Sequence, residues 1–237
     1  LIRKSTRKSR FGHILAANID QTVLVATITF PRTSLGFIDR FLVAAESFRI
    51  PQVLVFNKSD LFNDVVQEGV DELREIYTSI GVEFLQISAE KEENLEGLKK
   101  LLEGKKSLFA GHSGVGKSTI LNKLSPSRIN QTIGEVSKFA NKGVHTTTFA
   151  EMFEIDKETY VIDTPGLKEL GLMDIDDGEI SHFFPEMRDM LGACRFHNCQ
   201  HVREPGCAII EAVERGDIAE SRFRSYLSIL EDDDSHR

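Results

Sequence analysis

The sequence predicts an α/β fold with a mostly parallel sheet. Short apolar runs typical of buried strands alternate with segments of helical periodicity. A glycine-rich turn lies between one such strand and the helix after it. All three cysteines fall late in the chain, which indicates a separate C-terminal unit. Hydrophobic residues make up 41% of the 237 residues, enough to build a core.

The elements follow from the spacing of apolar residues. In the segment 35–48, for example, helical periodicity places Phe37, Phe41, Ala44 and Phe48 on one face. The predicted strands are 22–30, 52–56, 82–87, 107–110, 149–155 and 158–162. The predicted helices are 35–48, 65–80, 94–103, 117–124, 209–213 and 218–230. The stretch 128–144 is polar and without pattern, as expected of a switch segment.

The glycine-rich turn fits the phosphate-loop pattern GxxxxGK[ST] over residues 111–118. Its glycines let backbone N–H groups turn towards phosphate oxygens, and the following helix adds a favourable dipole. Lys117 is expected to neutralise the β- and γ-phosphates and to assist catalysis, and Ser118 to hold Mg²⁺. A turn without a ligand is the alternative, but the complete motif stands in its predicted context. The predicted nucleotide contacts here are Gly111, His112, Ser113, Gly114, Val115, Gly116, Lys117, Ser118 and Thr119.

Two further motifs predict a guanine site. An NKxD element begins at Asn57, directly after a predicted strand, where ligands bind in open α/β sheets. Asp60 can accept hydrogen bonds from guanine N1–H and the 2-amino group, donors that adenine lacks. The Lys58 stem can lie against the base, and Asn57 can brace neighbouring loops. Ser88 and Ala89 follow the next strand and resemble the loop whose backbone N–H meets guanine O6.

A DxxG element completes the set of phosphate-sensing residues. Asp163 follows a predicted strand and is expected to bind Mg²⁺ through water, while the Gly166 N–H senses the γ-phosphate. A threonine between the phosphate loop and DxxG is expected to bind Mg²⁺ as well. Thr147 is favoured, with Thr146 and Thr148 as alternatives.

The order of these motifs is circularly permuted. An ordinary GTPase runs phosphate loop, DxxG and then NKxD, whereas here NKxD precedes the phosphate loop. The residue after DxxG is Leu167, which cannot orient water as glutamine does in many GTPases. His145 is the best nearby polar candidate for a catalytic role, the alternative being a solvated or packed side chain.

The cysteines indicate a metal site. Cys194, Cys199, His201 and Cys207 follow the spacing C-x4-C-x-H-x5-C and offer four ligands, enough for one tetrahedral Zn²⁺. His197 is a competing ligand, and three ordinary reduced thiols are the alternative. Three cysteines cannot all pair with one another in disulfides.

Composition and charge limit the kinds of partner that the chain is expected to bind. The net charge of −8 argues against wholesale coating of nucleic acid, and no run reaches the ~20 apolar residues of a membrane span. Charge is uneven, because basic residues crowd the start while the chain closes on an acidic segment at 231–234. The basic residues can meet rRNA phosphates or protect a strand edge. They are Arg3, Lys4, Arg7, Lys8 and Arg10.

The motifs in this order resemble those of the ribosome small-subunit-dependent GTPase A (RsgA) family of bacterial assembly factors. The motifs are NKSD, GHSGVGKS, KGVHTTT, DTPGL and CRFHNCQH-EPGC. The resemblance extends from about residue 16 to Tyr226. It implies an N-terminal OB-fold, a permuted GTPase domain and a C-terminal zinc domain. It also implies late action on the 30S subunit, stimulation of GTP hydrolysis by that subunit, and a catalytic histidine at the position of His145.

The resemblance sets the expected organisation. Residues 1–17 are the remnant and exit of the OB-fold, since a complete barrel needs roughly 70 residues. Residues 18–178 are the GTPase domain and 179–237 the zinc-binding helical domain. We expect a cytoplasmic monomer that uses GTP or GDP, Mg²⁺ and one Zn²⁺, binds the 30S subunit and 16S rRNA, and has no membrane contact. A P-loop ATPase or kinase, and a zinc-bearing RNA-binding module with a structural nucleotide site, are the alternative functions.

Overall fold

The computed structural model describes residues 16–124, 151–163 and 175–234, together with the backbone of residues 2–3 and 13–14. Several residues with predicted roles lie outside the described part of the chain, and those roles stay predictions. They are the side chains of the basic N-terminal segment, His145, Thr146, Thr147, Thr148, Gly166 and Leu167.

Strands and helices alternate through most of the chain. The strands are β1 Ile2–Arg3, β2 His13–Ile14, β3 Gln21–Ala26, β4 Gln52–Phe56, β5 Glu83–Gln86, β6 Lys106–Ala110, β7 Glu151–Asp156 and β8 Thr159–Asp163. The α-helices are α1 Leu35–Glu46, α2 Asp64–Ser79, α3 Leu95–Leu102, α4 Lys117–Leu124, α5 Pro185–Arg188, α6 Ala208–Arg215 and α7 Glu220–Asp234. Two 3-10 helices cover Ser59–Leu61 and Asp177–Phe183.

Six of these strands form one sheet in the order β5-β4-β3-β6-β8-β7. Neighbouring strands are parallel except for β7, which runs antiparallel to β8. The predicted mostly parallel sheet is therefore confirmed. Because parallel strands end at one edge, the carboxyl ends of β3, β4, β5, β6 and β8 lie along that edge, which is where ligands bind in such sheets.

The core lies on both faces of the sheet. Alternate residues of each strand point to opposite faces, so Val23 and Val25 pack with α3 and α4 on one face. Leu24 and Ala26 point to the other face and pack with α1 and α2. The C-terminal residues Phe184 and Tyr226 belong to this second cluster. One continuous apolar core thus joins the C-terminal helices to the sheet.

Two predicted elements are shorter than expected. The strand predicted at 22–30 ends at Ala26, because Thr27 and Thr33 exchange hydrogen bonds (Thr33 N to Thr27 O, 2.8 Å; Thr27 N to Thr33 Oγ1, 3.1 Å) and close a loop. The helix predicted at 35–48 ends at Glu46, and Arg49 then takes a left-handed conformation with φ 53°. The loop over 27–33 becomes important at the ligand edge of the sheet.

At the start of the chain, β1 and β2 form an antiparallel pair in which Ile2 lies opposite Ile14 and Arg3 opposite His13. An OB-fold has five strands, so this two-stranded pair does not test the predicted OB-fold. Among the described residues, no helix combines the length and the apolar character needed to cross a membrane.

Candidate functional site

The phosphate loop joins β6 to α4 and depends on two glycines with close backbone neighbours. Gly111 has φ 143°, and a Cβ there would meet the Val25 carbonyl oxygen at 2.3 Å. Gly116 has φ 102°, and a Cβ there would meet Asn57 Nδ2 at 2.2 Å. Only glycine fits both the backbone conformation and the space at these positions. The predicted loop therefore has the tight packing that its motif requires.

Lys117 and Asp163 stand at the phosphate end of the site. The Lys117 ammonium is buried and donates to the carbonyl oxygens of Gly111 (2.6 Å) and His112 (3.1 Å). Burial lowers the pKa of Lys117, although Asp163 opposes this shift. Burial likewise raises the pKa of Asp163, with Lys117 opposing. Each charge is thus poorly solvated, as suits groups that exchange protein contacts for ligand contacts.

The hydrogen bonding of Asp163 also suits a residue that binds a cation. Its Oδ1 is buried and has no hydrogen-bond partner among the described residues. A buried carboxylate oxygen without a donor is costly, and a hydrated Mg²⁺ would supply the missing partner. Ser118 lies in the first turn of α4, directly after Lys117.

Asn57 ties the base end to the phosphate end. Its side chain is buried; Nδ2 donates to the Val115 carbonyl at 2.8 Å, and Oδ1 accepts from the Ala89 N–H at 3.0 Å. One amide therefore fixes the distance between the phosphate loop and the loop after β5. The Ala89 N–H, predicted to meet guanine O6, would have to be shared between that amide and a base.

Asp60 is held in position for recognition. The Ser88 hydroxyl donates to Asp60 Oδ1 at 2.5 Å and accepts from the Lys91 N–H at 3.1 Å. Ser88 is buried, whereas Asp60 is exposed. The carboxylate is therefore fixed on one side and open to solvent on the other, the arrangement needed to accept from a base edge.

The loop over 27–33 is a part of this site that the sequence patterns did not reveal. Lys58 has a left-handed backbone with φ 70°, and its ammonium donates to the Phe30 carbonyl at 2.7 Å. The Pro31 ring lies 3.5 Å from where a Cβ on Gly114 would stand. The Phe30 side chain is 84% exposed. The available signal was Pro31, directly after the strand predicted at 22–30, since proline rarely continues a central strand.

Phe37 is a second residue that was missed. It lies in the first turn of α1, and its ring lies 4.0 Å from the His112 ring, centroid to centroid. Burial lowers the pKa of His112, and the nearby Lys117 charge acts in the same direction. The neutral imidazole is therefore favoured, which suits packing against an aromatic ring. The sequence indicated only that Phe37 belongs to an apolar helix face.

The four predicted metal ligands come together. The ligand atoms of Cys194, Cys199, His201 and Cys207 all lie within 4.8 Å of one another. His201 Nδ1 is 3.5 Å from Cys194 Sγ and 3.4 Å from Cys207 Sγ, and these two sulfurs are 3.9 Å apart. Tetrahedral Zn–S bonds would separate two sulfurs by about 3.8 Å. The donor set and its spacing therefore fit zinc.

The competing ligand His197 lies outside this group and is exposed. The predicted grouping of ligands is confirmed, while the metal remains proposed. Burial raises the pKa of Cys199 to about 12, and burial lowers the pKa of His201. The cysteine ligands would bind metal as thiolates and so release protons when metal binds.

Neighbouring side chains shape the segment that carries these ligands. The Glu204 carboxylate accepts from the N–H groups of Gln200 (2.7 Å) and Val202 (2.8 Å). Burial raises the pKa of Glu204, but these backbone donors outweigh burial and leave it below the usual value. His201 itself has φ 58°, a left-handed conformation. Glu204 was not singled out by the sequence, because a single glutamate in a loop has no distinctive pattern.

The comparison with known families identifies this arrangement. A sequence model of the RsgA GTPase family matches residues 1–173. The chain belongs to the RsgA GTPase family. It is 50% identical over 237 residues to the small ribosomal subunit biogenesis GTPase RsgA of Cytophaga hutchinsonii, covering 100% of this chain and 77% of that protein. It is also 50% identical over 232 residues to RsgA 2 of Bacteroides thetaiotaomicron, covering 98% of this chain and 74% of that protein.

Solved structures of RsgA relatives have the same fold. YjeQ from Thermotoga maritima matches with a TM-score of 0.75 and 40% identity, covering 91% of this chain and 71% of that one. YloQ, described as a circularly permuted GTPase, matches with a TM-score of 0.74 and 25% identity, covering 100% of this chain and 79% of that one. The resemblance read from the motifs and the predicted permuted GTPase fold are both confirmed.

Proposed function

We propose that this chain binds GTP and hydrolyses it to GDP and phosphate during late assembly of the small ribosomal subunit. The observation that carries the proposal is the Asn57 side chain, which joins the phosphate loop to the loops that present Asp60 and Ala89. The relatives at 50% identity are named small ribosomal subunit biogenesis GTPases. A guanine-reading carboxylate and a phosphate-binding loop in one rigid frame are what a GTPase needs.

Each residue has a role in this proposal. Asp60 accepts from guanine N1–H and the 2-amino group, and the Lys58 stem covers one face of the base. Lys117 exchanges its two carbonyl acceptors for phosphate oxygens. Ser118 and Asp163 hold Mg²⁺, with Thr147 as the expected third protein ligand. Bound Mg²⁺ neutralises charge on the β- and γ-phosphates.

Catalysis is assigned to His145. Leu167 has no hydrogen-bonding group with which to orient water, whereas a histidine can position water or relay its proton near neutral pH. We infer that docking on the 30S subunit brings His145 to the attacking water. Slow turnover by the free chain and faster turnover on the subunit follow from this assignment.

The cysteine–histidine cluster, defined as Cys194, Cys199, His201 and Cys207, is proposed to hold one structural Zn²⁺. Beside it, exposed Arg195 lies over the exposed Phe196 ring at 5.5 Å. An aromatic ring with a guanidinium is a combination that stacks on unpaired RNA bases. We propose 16S rRNA as the partner of this surface, and that the chain acts as a cytoplasmic monomer.

The decisive experiment measures GTP turnover with and without purified 30S subunits, with 50S subunits as control. We expect stimulation by 30S alone. His145→Ala should lose about 10²-fold of the stimulated rate and keep GTP and 30S binding. Leu167→Gln should not restore the rate of His145→Ala, because the surrounding site was not built for glutamine. Full stimulated turnover by His145→Ala would assign the water-positioning group elsewhere.

The two rival functions give different results. If the chain is a P-loop ATPase or kinase, ATP should displace a bound nucleotide at least as well as GTP does. Adenine offers no donors to Asp60, so Asp60 and its hydrogen bond from Ser88 would then have no role. An RNA-binding module with a structural nucleotide site would bind 30S equally with any nucleotide and show no stimulated turnover.

A further inference from the structure

A buried ionic cluster joins α1 to the C-terminal helices. Arg222 of α7 is 1% exposed and Asp39 of α1 is fully buried. The Arg222 guanidinium donates to Asp39 Oδ1 at 2.7 Å and, through Nε, to Glu186 Oε1 at 2.7 Å. The Tyr77 hydroxyl also donates to Asp39 Oδ1, at 2.9 Å. The Arg222 guanidinium further lies over the Phe184 ring at 4.6 Å.

Such a cluster is better suited to fixing a geometry than to adding stability. Taking charges out of water costs about as much free energy as their attraction returns, so apolar replacements are often no less stable. Its directional bonds do hold α7 at one rotation and one position on α1. Breaking one partner would leave a buried charge alone, so the contact is made fully or not at all.

The same N-terminal half of α1 that carries Asp39 also touches the phosphate loop. Phe37 lies in the first turn of the helix, where the Ser34 side chain accepts its N–H at 3.2 Å. Its ring packs on His112, whose carbonyl oxygen accepts from the Lys117 ammonium. A phosphate that draws Lys117 away would therefore change the surroundings of His112 and of the Phe37 ring.

The other contact of α7 reaches the cysteine–histidine cluster. Tyr226 lies one turn beyond Arg222, and its hydroxyl donates to the Gln200 carbonyl at 2.6 Å. Gln200 immediately precedes the ligand His201, whose ring centroid is 6.3 Å from that of Tyr226. Contacts therefore run without a break from the phosphate loop to the cluster, through two helices and one ion pair.

We propose that α1 couples the nucleotide site energetically to the cysteine–histidine cluster, with the Phe37–His112 contact joining it to the phosphate loop and the Asp39–Arg222 pair joining it to α7. The inference rests on the proposed function, since it requires a guanine nucleotide at the phosphate loop. Occupation of the loop biases the packing of α1, and α1 carries that bias to α7. By linkage, if GDP changes the affinity of the cluster for its metal by some factor, the metal changes the affinity for GDP by the same factor.

The first test is hydrogen exchange on the full chain with its metal, with and without GDP. We expect GDP to slow exchange of amides in residues 199–230 by about fivefold or more, although none of them lies at the nucleotide site. Phe37→Leu keeps the helix apolar but removes the ring contact with His112. It should bind GDP and lose most of this remote protection.

The second test breaks the other end of the connection. Asp39→Asn keeps the shape of the side chain and removes its charge, and Arg222→Met removes the guanidinium. Both should uncouple residues 199–230 from GDP binding. Arg224→Met is the matched control, because Arg224 lies on the same helix and pairs with Glu220 at 2.6 Å but is 73% exposed. It should leave the remote protection unchanged.

A reciprocal measurement uses Tyr226→Phe, which removes one hydroxyl and keeps the packing. GDP affinity should change by about fivefold. Where Arg222→Met does not fold, Phe37→Leu decides. GDP binding without remote protection in the wild-type chain, or protection that persists in Phe37→Leu, overturns the coupling and leaves the proposed function standing. Failure of the wild-type chain to bind GDP overturns both.

Discussion

The nucleotide site and the cysteine–histidine cluster are held together by different means. The described loops of the nucleotide site follow β3, β4, β5 and β6, and Asp163 stands at the end of β8; the hydrogen bonds of these strands run across one sheet. The cluster lies within residues 189–207, a described segment with no helix or strand of its own. Sheet hydrogen bonds fix the first site before any ligand arrives. The second depends on its ligand set and on the helix packed against it.

The two sites also differ in the kind of group that matters. In the phosphate loop the backbone acts, and the limiting contacts are those that a Cβ on Gly111 or Gly116 would make. In the cluster four side chains act, and His201 and Cys207 are buried while Cys194 and Cys199 are half-buried. A preorganised backbone tolerates loss of ligand, whereas converging thiols and an imidazole would gain their fixed geometry from the proposed metal.

The largest expected effect is therefore metal removal. A zinc-selective chelator or Cys199→Ser should expose residues 189–207 to protease and raise their hydrogen exchange, because structural zinc contributes about 10–16 kcal/mol of apparent binding free energy in small zinc modules. GDP affinity should stay within about tenfold of its starting value, the range that coupling through α1 permits. Metal analysis should return one zinc per chain before treatment.

His197→Ala is the matched control, since His197 is an exposed neighbour outside the cluster. It should keep both the zinc and the protease resistance. A chain purified without chelator that contains no zinc would contradict the assignment of the cluster.

The converse experiment attacks the backbone of the nucleotide site. Gly116→Ala places a Cβ 2.2 Å from Asn57 Nδ2, which breaks the amide connection between the phosphate and base loops. We expect GDP affinity to fall by about 100-fold, since loss of one positioning element at a preorganised site typically costs that much. Zinc content should not change. Calorimetric titration and metal analysis give the two readings.

Gly81→Ala controls for backbone strain. Gly81 has φ 83°, and a Cβ there would have no atom within 4 Å. It shares the unfavourable conformation without the collision. Equal losses of GDP affinity in the two variants would mean that general destabilisation, rather than the Asn57 contact, causes the effect.

The choice of base depends on one side chain of the nucleotide site, Asp60, and can be tested by substitution. Asp60→Asn keeps the shape but exchanges an acceptor for a mixed amide, so GTP affinity should fall and xanthine nucleotides should gain. The change in the ratio of the two affinities should be about 10- to 100-fold, as when one hydrogen-bonding group is mismatched. Competition binding with GTP and XTP measures the ratio. An unchanged preference for GTP would remove Asp60 from base recognition.

The smallest expected effect separates stability from function at Asp163. Its buried Oδ1 has no partner among the described residues, so Asp163→Asn should raise the free energy of unfolding of the nucleotide-free chain by ~1 kcal/mol. The same change should abolish Mg²⁺-dependent turnover. Urea unfolding without nucleotide gives the first value, and a fall in stability would show that the Lys117 contact outweighs the missing donor.

Features that depend only on neighbouring residues could be predicted before the fold was known. The phosphate loop, the NKxD and DxxG elements and the cysteine spacing are local, because each places its groups by the conformation of a short stretch of chain. The sheet followed for the same reason, since strand and helix periods are properties of single segments. The predicted ends were less exact where loops close on themselves, as at Thr27.

Contacts between distant segments could not be predicted in this way, because they depend on how the whole chain packs. Asn57 and Val115 are 58 positions apart, and Asp39 and Arg222 are 183 positions apart. Asp39 stands among apolar residues in α1, which indicates a buried partner but does not say which of the many arginines supplies it. That choice is made by the packing of α7 on α1 in the shared core, because a buried charge is tolerated only where folding brings its partner within hydrogen-bond distance.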